Sequence, residues 1–295
     1  MRPLSRLVVC GTGLIGGSFA LALKAGGQVA DVVGIGRTRQ SLQDALDLGI
    51  IDRIAVGWQD ALEGTELVFL GVPVAQTASV LAAMAPHLSG PTLLTDGGST
   101  KHDVVAAARA ALGKEIWRMI PGHPIAGSEK SGPHAARADL YQARRVVLTP
   151  LAENRAEDIE RIRALWRACG ARVSELAVGE HDRALAAVSH LPHLLSYALV
   201  GELARRDDAE RLFDLAAGGF RDFTRIAGSH PEMWRDICMA NRDALLAELD
   251  AYGDELARLR AMIARGDAQG LFDAFAVARL ARNAWIARDD AGRQT

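Results

Sequence analysis

Cysteine is scarce in this chain: Cys10, Cys169 and Cys238 are the three among 295 residues, odd in number, far apart and in no Cys-x-x-Cys arrangement. That pattern excludes a disulfide framework, gives no zinc cage to expect and fits a reducing compartment. An excess of either charge is lacking as well. Lys and Arg number 34 against 36 Asp and Glu, a net charge of −2, and the basic residues, mostly arginine, are interspersed with acidic ones. A chain without a basic stripe is not expected to take nucleic acid as its main partner. No charged-then-apolar leader opens the sequence, and no run of about 18 apolar residues occurs in it. Neither export nor a membrane partner is therefore expected, and the cytoplasm is the expected location. Fixed-period repeats and low-complexity linkers are also missing. What remains is 49% hydrophobic and 24% charged, an ordinary globular composition with length enough for two domains and separate cores.

Short apolar runs alternate with helical patterns up to residue 176, the texture of a parallel sheet with crossover helices. Strands are predicted at Leu7 to Cys10, Val32 to Ile35, Leu67 to Gly71, Thr92 to Thr95, Ile116 to Ile120 and Arg145 to Thr149. A helix from Arg155 to Cys169 and a short strand near Arg172 to Ser174 close this segment. From residue 177 to Arg288 the pattern is Ala- and Leu-rich with a period near that of a helix, broken at "AAGGF", "AGSHPE" and "ARGDAQG". The expected fold is α/β: a Rossmann-type dinucleotide-binding domain over 1–176, an all-helical substrate and dimerisation domain over 177–288, and a frayed tail over 289–295. The apolar faces of the helical half are too extensive for isolated helices, so a homodimer is predicted.

"LVVCGTGLIGGS" is a strand followed by Gly11-x-Gly13-x-x-Gly16 at a helix start, the context that a dinucleotide fingerprint requires. The glycines permit a tight turn and close approach to a pyrophosphate, whose charge meets the amides and dipole of the helix N-terminus. Leu14 and Ile15 lie inside this turn, and Val72 and Pro73 follow a strand at the same end of the sheet; all four are candidate cofactor contacts. About 20 residues after Gly16, where NAD-selective folds place an Asp or Glu on the ribose 2′-hydroxyl, the sequence reads Gly36, Arg37, Thr38, Arg39. No carboxylate there repels a 2′-phosphate, Arg37 can pair with one or stack on adenine, and Thr38 adds a hydroxyl. NADP is therefore expected to be preferred, with NAD possible; the opposing reading leaves Arg37 and Arg39 as solvated loop charges.

Ligands of open α/β sheets sit outside the carboxyl ends of the strands. "GVP" at Gly71 to Pro73, "TDGGSTK" at Thr95 to Lys101 and "PGHPIAGSEKSG" over 121–132 are predicted to fall there. The last holds His123 between two prolines amid little that is apolar. A proton acceptor of pKa about 6.5, fixed beside a nicotinamide, suits hydride abstraction from an alcohol carbon; the alternative is an ordinary loop histidine. Ser99 is a candidate substrate-side hydroxyl or a helix N-cap, and it lacks the Gly-x-Ser-x-Gly elbow of a hydrolase nucleophile. His190 and His193, three apart at a predicted helix start, face one side. Capping by His190 and metal binding by the pair are alternatives, metal being disfavoured for want of a further ligand.

"GTGLIGGS", "TDGGSTK", "PGHPIAGSEKSG", "SHLPH" and "GGFRDFTRIAGSHPEMW", in this order over roughly residues 5 to 285, closely resemble the prephenate and arogenate dehydrogenases of tyrosine biosynthesis. The resemblance implies an NAD(P)-dependent enzyme that oxidises a cyclohexadienol at its hydroxyl-bearing carbon and releases the ring carboxylate as carbon dioxide. It implies His123 as acceptor for the ring hydroxyl, Ser99 as the group orienting that hydroxyl or His123, and Arg225 as a two-point partner for the ring carboxylate, which lysine would not reproduce. His193 is implied near the substrate side chain or a bound tyrosine. Glu129 and Lys130 either close the pocket or lie in a solvated loop; Trp234, with Met233, either reaches the pocket from a partner subunit or packs in the core. Prephenate and arogenate both stay open as substrate. Two other readings compete. A β-hydroxyacid or imine reducer would use a lysine or aspartate on the first long helix after the domain junction, where Glu180 and Asp182 stand without forming such a motif. A nucleotide-sensing regulator would bind NADP without turnover.

Overall fold

The computed structural model describes residues 2–128 and 130–294, the last six of these by backbone alone. The chain forms two compact units, Met1–Arg242 and Asp243–Thr295. In the first, β1 (Leu4–Cys10), β2 (Val29–Ile35), β3 (Arg53–Ile54), β4 (Leu67–Leu70) and β5 (Leu93–Asp96) make a parallel sheet in the order β3-β2-β1-β4-β5. Crossovers are α1 (Leu14–Ala25), α2 (Arg39–Asp47), α3 (Trp58–Leu62) and α4 (Thr77–Met84), and α5 (His102–Leu112) follows β5. The chain leaves β1 for β2 on one side and places β4 on the other, so the sheet changes direction at the carboxyl end of β1, where such sheets bind ligands.

Alternation explains why these runs are strands. Leu7 and Val9 face one core with Phe19, Phe69 and Trp166, while Val8 and Cys10 face another with Val68, Leu81 and Val104. Phe19 stacks on Phe69 at 4.5 Å between ring centroids and meets Trp166 at 4.6 Å. Helices cover both faces, so β4, "LVFL", is buried at every position, as parallel sheets demand.

A second sheet joins β6 (Gly122–Pro124), β7 (Arg145–Leu148) and β8 (Arg172–Glu175), the first pair antiparallel and the second parallel, with α6 (Ala156–Ala168) between β7 and β8. Two expectations change here. The strand predicted at Ile116 to Ile120 is a 3₁₀ turn, Gly113–Arg118, followed by an isolated bridge from Met119 to Leu94. Ile116, Met119 and Ile120 are buried as strand residues would be, and a short apolar run does not by itself distinguish the two. The segment around His123, predicted as a loop following that strand, is itself β6. Its prolines confine it to the edge of the second sheet, because they cannot donate to a ladder on both sides.

Helices follow: α7 (Val178–Leu185), a π-helical turn Ala186–His190, α8 (Leu191–Leu203), α9 (Ala209–Asp214), α10 (Gly218–Thr224), a 3₁₀ turn Arg225–Gly228 and α11 (Pro231–Ala240). The helix start predicted at "SHLPH" is the interior of one continuous helix. Pro192 lacks an amide proton and its ring would strike the carbonyl of Val188 in a regular helix, and the widened turn lies there. Val178–Leu203 is also long and apolar enough to cross a membrane by length and composition, with a mean hydropathy of 1.3 over an 18-residue window. In this fold its face bearing His181, Leu185, His190, Leu191 and Ser196 is buried.

The second unit contains α12 (Arg242–Arg265) and α13 (Ala268–Gln294), which turn at Gly266, φ +69°. All three predicted helix breaks are observed. The tail predicted to fray is helical in its backbone to Gln294, and Thr295 lies outside the described residues. The compact units divide at Arg242, so helices α7 to α11 share a unit with the nucleotide-binding sheet.

Candidate active site

The turn after β1 packs backbone against backbone. Gly11 has φ +92°, and a Cβ there would lie 2.6 Å from the Gly71 carbonyl oxygen. A Cβ on Gly16 would meet the Gly11 oxygen at 2.1 Å, and one on Gly71 would meet the same oxygen at 2.8 Å. Gly71, within "GVP", is thus as sterically restricted as the fingerprint glycines. Around Gly13, by contrast, a Cβ would have nothing within 4 Å. Its approach is open, and no side chain caps α1, so the first-turn amides face outward with no internal partner. This cradle fits a dinucleotide pyrophosphate. Leu14 and Ile15 are partly buried against the core, the Tyr141 hydroxyl donates to the Ile15 carbonyl at 2.6 Å, and Val72 is partly buried while Pro73 is exposed. At the end of β2, Arg37 and Arg39 are exposed and form no ion pair among the described residues. The Thr38 hydroxyl donates to Oγ of Ser41 at 2.8 Å, a second hydroxyl that sequence reasoning missed although it lies three residues on.

Asp96 and Lys101 fasten the loop holding Ser99 to the strand holding His123. Oδ1 of Asp96 accepts from the Gly122 amide at 3.0 Å, and Lys101 Nζ donates to the Gly122 carbonyl at 2.9 Å. The Lys101 ammonium is fully buried and bonded to Oδ2 of Asp96, which also accepts from the Gly98 amide at 2.8 Å. Ser99, between them in sequence, is partly buried.

His123 is partly exposed. Its Nδ1 lies 2.9 Å from Nε2 of His181, and Nδ1 of His181 lies 2.7 Å from Oδ1 of Asp182. The Asp182 carboxylate also accepts from the amides of Lys101 at 2.9 Å and His102 at 2.8 Å. Burial opposes the charge of Asp182, yet these bonds and the His181 imidazole hold its pKa below the usual carboxylate range. Desolvation, then the nearby Lys101, His181 and His190, hold His123 well below the ordinary histidine value. It is therefore neutral at neutral pH, as a base must be. His181 and Asp182 form a chain behind His123 that sequence reasoning did not find. The signal is "EHD" on the first helix after the junction, where Asp182 holds the place of the acid in a β-hydroxyacid reducer and His181 lies beside it.

Nδ1 of His193 donates to the Ser189 carbonyl at 2.8 Å, and its ring stacks on Trp234 at 3.5 Å and 18°. Desolvation lowers its pKa against the pull of the Ser189 bond, and the charge of Arg225 lowers it further. Arg225 is exposed at the start of its 3₁₀ turn and makes no ion pair among the described residues. Trp234 packs with Val74 and Ile237 of its own chain, so its place needs no partner subunit. His190 faces inward, accepting at Nδ1 from the Asn241 amide at 3.1 Å, and does not cap a helix. Lys130 is exposed, and Glu129 lies outside the described residues. No cluster of metal-ligating side chains occurs among the described residues.

The family model described as the prephenate dehydrogenase nucleotide-binding domain matches residues 19–175, and that described as the prephenate dehydrogenase dimerization domain matches residues 178–277. The cyclohexadienyl dehydrogenase of Zymomonas mobilis subsp. mobilis is 38% identical over 288 residues, 96% of either chain. A prephenate dehydrogenase from A. aeolicus, solved in complex with hydroxyphenyl propionate and NAD+, has a TM-score of 0.88 at 33% identity over 94% of this chain and 97% of that one. A Synechocystis arogenate dehydrogenase has a TM-score of 0.81 at 28% identity over 95% and 99%.

Proposed function

This chain belongs to the prephenate dehydrogenase family, and from that premise we propose that it oxidises prephenate to 4-hydroxyphenylpyruvate with loss of carbon dioxide, a step of L-tyrosine biosynthesis in the cytoplasm. The observation that carries this reading is the His123 imidazole, backed at Nδ1 by His181 at 2.9 Å and tied through Gly122 to the loop after β5. His123 takes the proton of the ring hydroxyl at Nε2, and Ser99 orients that hydroxyl. Arg225 holds the ring carboxylate, and His193, stiffened by Trp234, receives the substrate side chain. Gly11, Gly13, Leu14, Ile15 and Gly16 hold the nucleotide pyrophosphate at the head of α1, with Val72 and Pro73 beside it. The bound nicotinamide supplies the hydride acceptor.

Arg37 and the paired hydroxyls of Thr38 and Ser41 suit a 2′-phosphate, with no carboxylate in that turn to repel it, so NADP is preferred over NAD. The A. aeolicus relative, solved with NAD+, keeps NAD in the comparison. Arogenate is the second substrate reading, favoured by the likeness to the Synechocystis enzyme. The residues 178–277 matched as a dimerization domain support a homodimer. A two-by-two assay of prephenate and arogenate against NAD and NADP, followed near 340 nm, tests all of this. Fastest turnover is expected with prephenate and NADP. Absence of turnover in all four mixtures would leave a nucleotide-binding protein without this activity.

A further inference from the structure

We propose that His181 and Asp182 are positioning residues that fix the tautomer of His123 and receive the proton it takes up. The proposal rests on the reading of His123 as the base and extends it to two residues on another helix.

The hydrogen-bond inventory dictates where the protons lie. Both oxygens of Asp182 face donors: the Lys101 amide and His181 Nδ1 at Oδ1, and the His102 amide at Oδ2. A carboxylate only accepts, so Nδ1 of His181 carries a proton. Its Nε2 is then the atom left facing Nδ1 of His123 at 2.9 Å. Two bare nitrogens do not approach so closely, and one proton is shared between them. If it rests on His123 Nδ1, the neutral ring has its lone pair at Nε2 and can accept from substrate. If it rested on His181, a neutral His123 would carry its proton at Nε2 and could not. Resting charge favours the first arrangement, since the second puts a cation on His181 before any substrate proton has arrived.

Uptake of the substrate proton reverses that preference. The substrate O–H bond breaks and an N–H bond forms at Nε2 of His123. The Nδ1–H bond of His123 then breaks as an N–H bond forms at Nε2 of His181. The positive charge moves away from the Lys101 ammonium, which touches the residue before His123, and comes to rest beside the Asp182 carboxylate. Among the described groups around the two rings, Lys101 opposes charge on His123 and His190 opposes it on both rings, Asp96 offsets Lys101, and Asp182 supports charge on His181. The three residues come from β6 and α7, and Asn241 holds α7 in place by donating to the Asp182 carbonyl at 2.7 Å.

The direct test is nitrogen NMR of the full chain labelled with ¹⁵N-histidine, at pH about 7.5 and without substrate. His123 should be protonated at Nδ1 and bare at Nε2, with His181 protonated at Nδ1. A proton on Nε2 of His123 would overturn the proposal. This readout is independent of the substrate's identity, so it separates failure here from failure of the proposed reaction. Kinetics give a second arm. Asp182→Asn turns an amide toward His181 and favours the wrong tautomer; kcat should fall about 10²–10⁴-fold with the nucleotide KM within about threefold. His181→Gln, whose amide oxygen accepts the same bond but not the proton, should retain more kcat than His181→Leu. Unchanged kcat in both Asp182→Asn and His181→Leu would also overturn the proposal.

Discussion

Arg225 and His123 are expected to fail in opposite ways when removed. Strong stabilisation of a carboxylate that must leave as neutral carbon dioxide favours the ground state and would slow the reaction. Arg225, exposed and unpaired with any described acid, is therefore proposed to act by orienting the ring. Arg225→Ala should raise KM strongly while kcat falls much less, and steady-state kinetics with a large kcat loss at constant KM would contradict that role. His123→Ala should instead lower kcat about 10²–10⁴-fold. Gly71 gives a third expectation: Gly71→Ala would press a methyl group to 2.8 Å from the Gly11 oxygen and 3.1 Å from the Gly16 Cα. Backbone has no rotamer with which to yield, so nucleotide affinity, read by fluorescence titration, should fall at least tenfold, about 1.4 kcal/mol.

The continuous helix from Val178 to Leu203 carries a pH dependence of its own. Its His190 is buried, and desolvation, partly offset by Asp182 and reinforced by His181 and His193, lowers its pKa to about 4. Between 6.5 and about 4 the unfolded chain binds a proton that the folded chain does not. Stability from this residue is thus complete above the unfolded value and is lost as pH falls toward the folded one, by roughly 3 kcal/mol. Urea unfolding midpoints should be lower at pH 5.0 than at pH 7.5, and His190→Gln should reduce the difference, leaving the part due to His123 and His193, whose values are lowered too; equal midpoints in the unsubstituted chain would refute it. Strands such as "LVVC" and "LVFL" were legible because burial on both faces writes itself as an apolar run. The strand at His123 was not, since two prolines in four residues read as loop and its pairing is with a distant segment. Ile116 to Ile120 misread in the other direction, being apolar for the core but wound as a 3₁₀ turn. His123, Ser99 and Arg225 are proposed as site residues on motif order. The contact of His123 with His181 is not legible there, because it arises only when α7 packs against β6, which no local pattern encodes.

For the whole molecule, the unit formed by α12 and α13 presents Leu256, Ile263, Phe272, Phe275, Leu280 and Trp285 exposed in the single chain. An apolar face of this kind marks an association surface, and residues 178–277 match a dimerization domain. Sedimentation equilibrium at micromolar concentration should return twice the chain mass, and a monomer throughout would contradict the dimer. The nucleotide cradle and the His123 chain lie in one compact unit, where the proposed reaction couples three events: proton to His123, hydride to the nicotinamide, ring carboxylate to gas. The most direct measurement is the stoichiometry of that coupling, with carbon dioxide and reduced cofactor counted against prephenate consumed. Equal amounts of all three are predicted; reduced cofactor without carbon dioxide, or consumption of prephenate without either, would contradict this coupling.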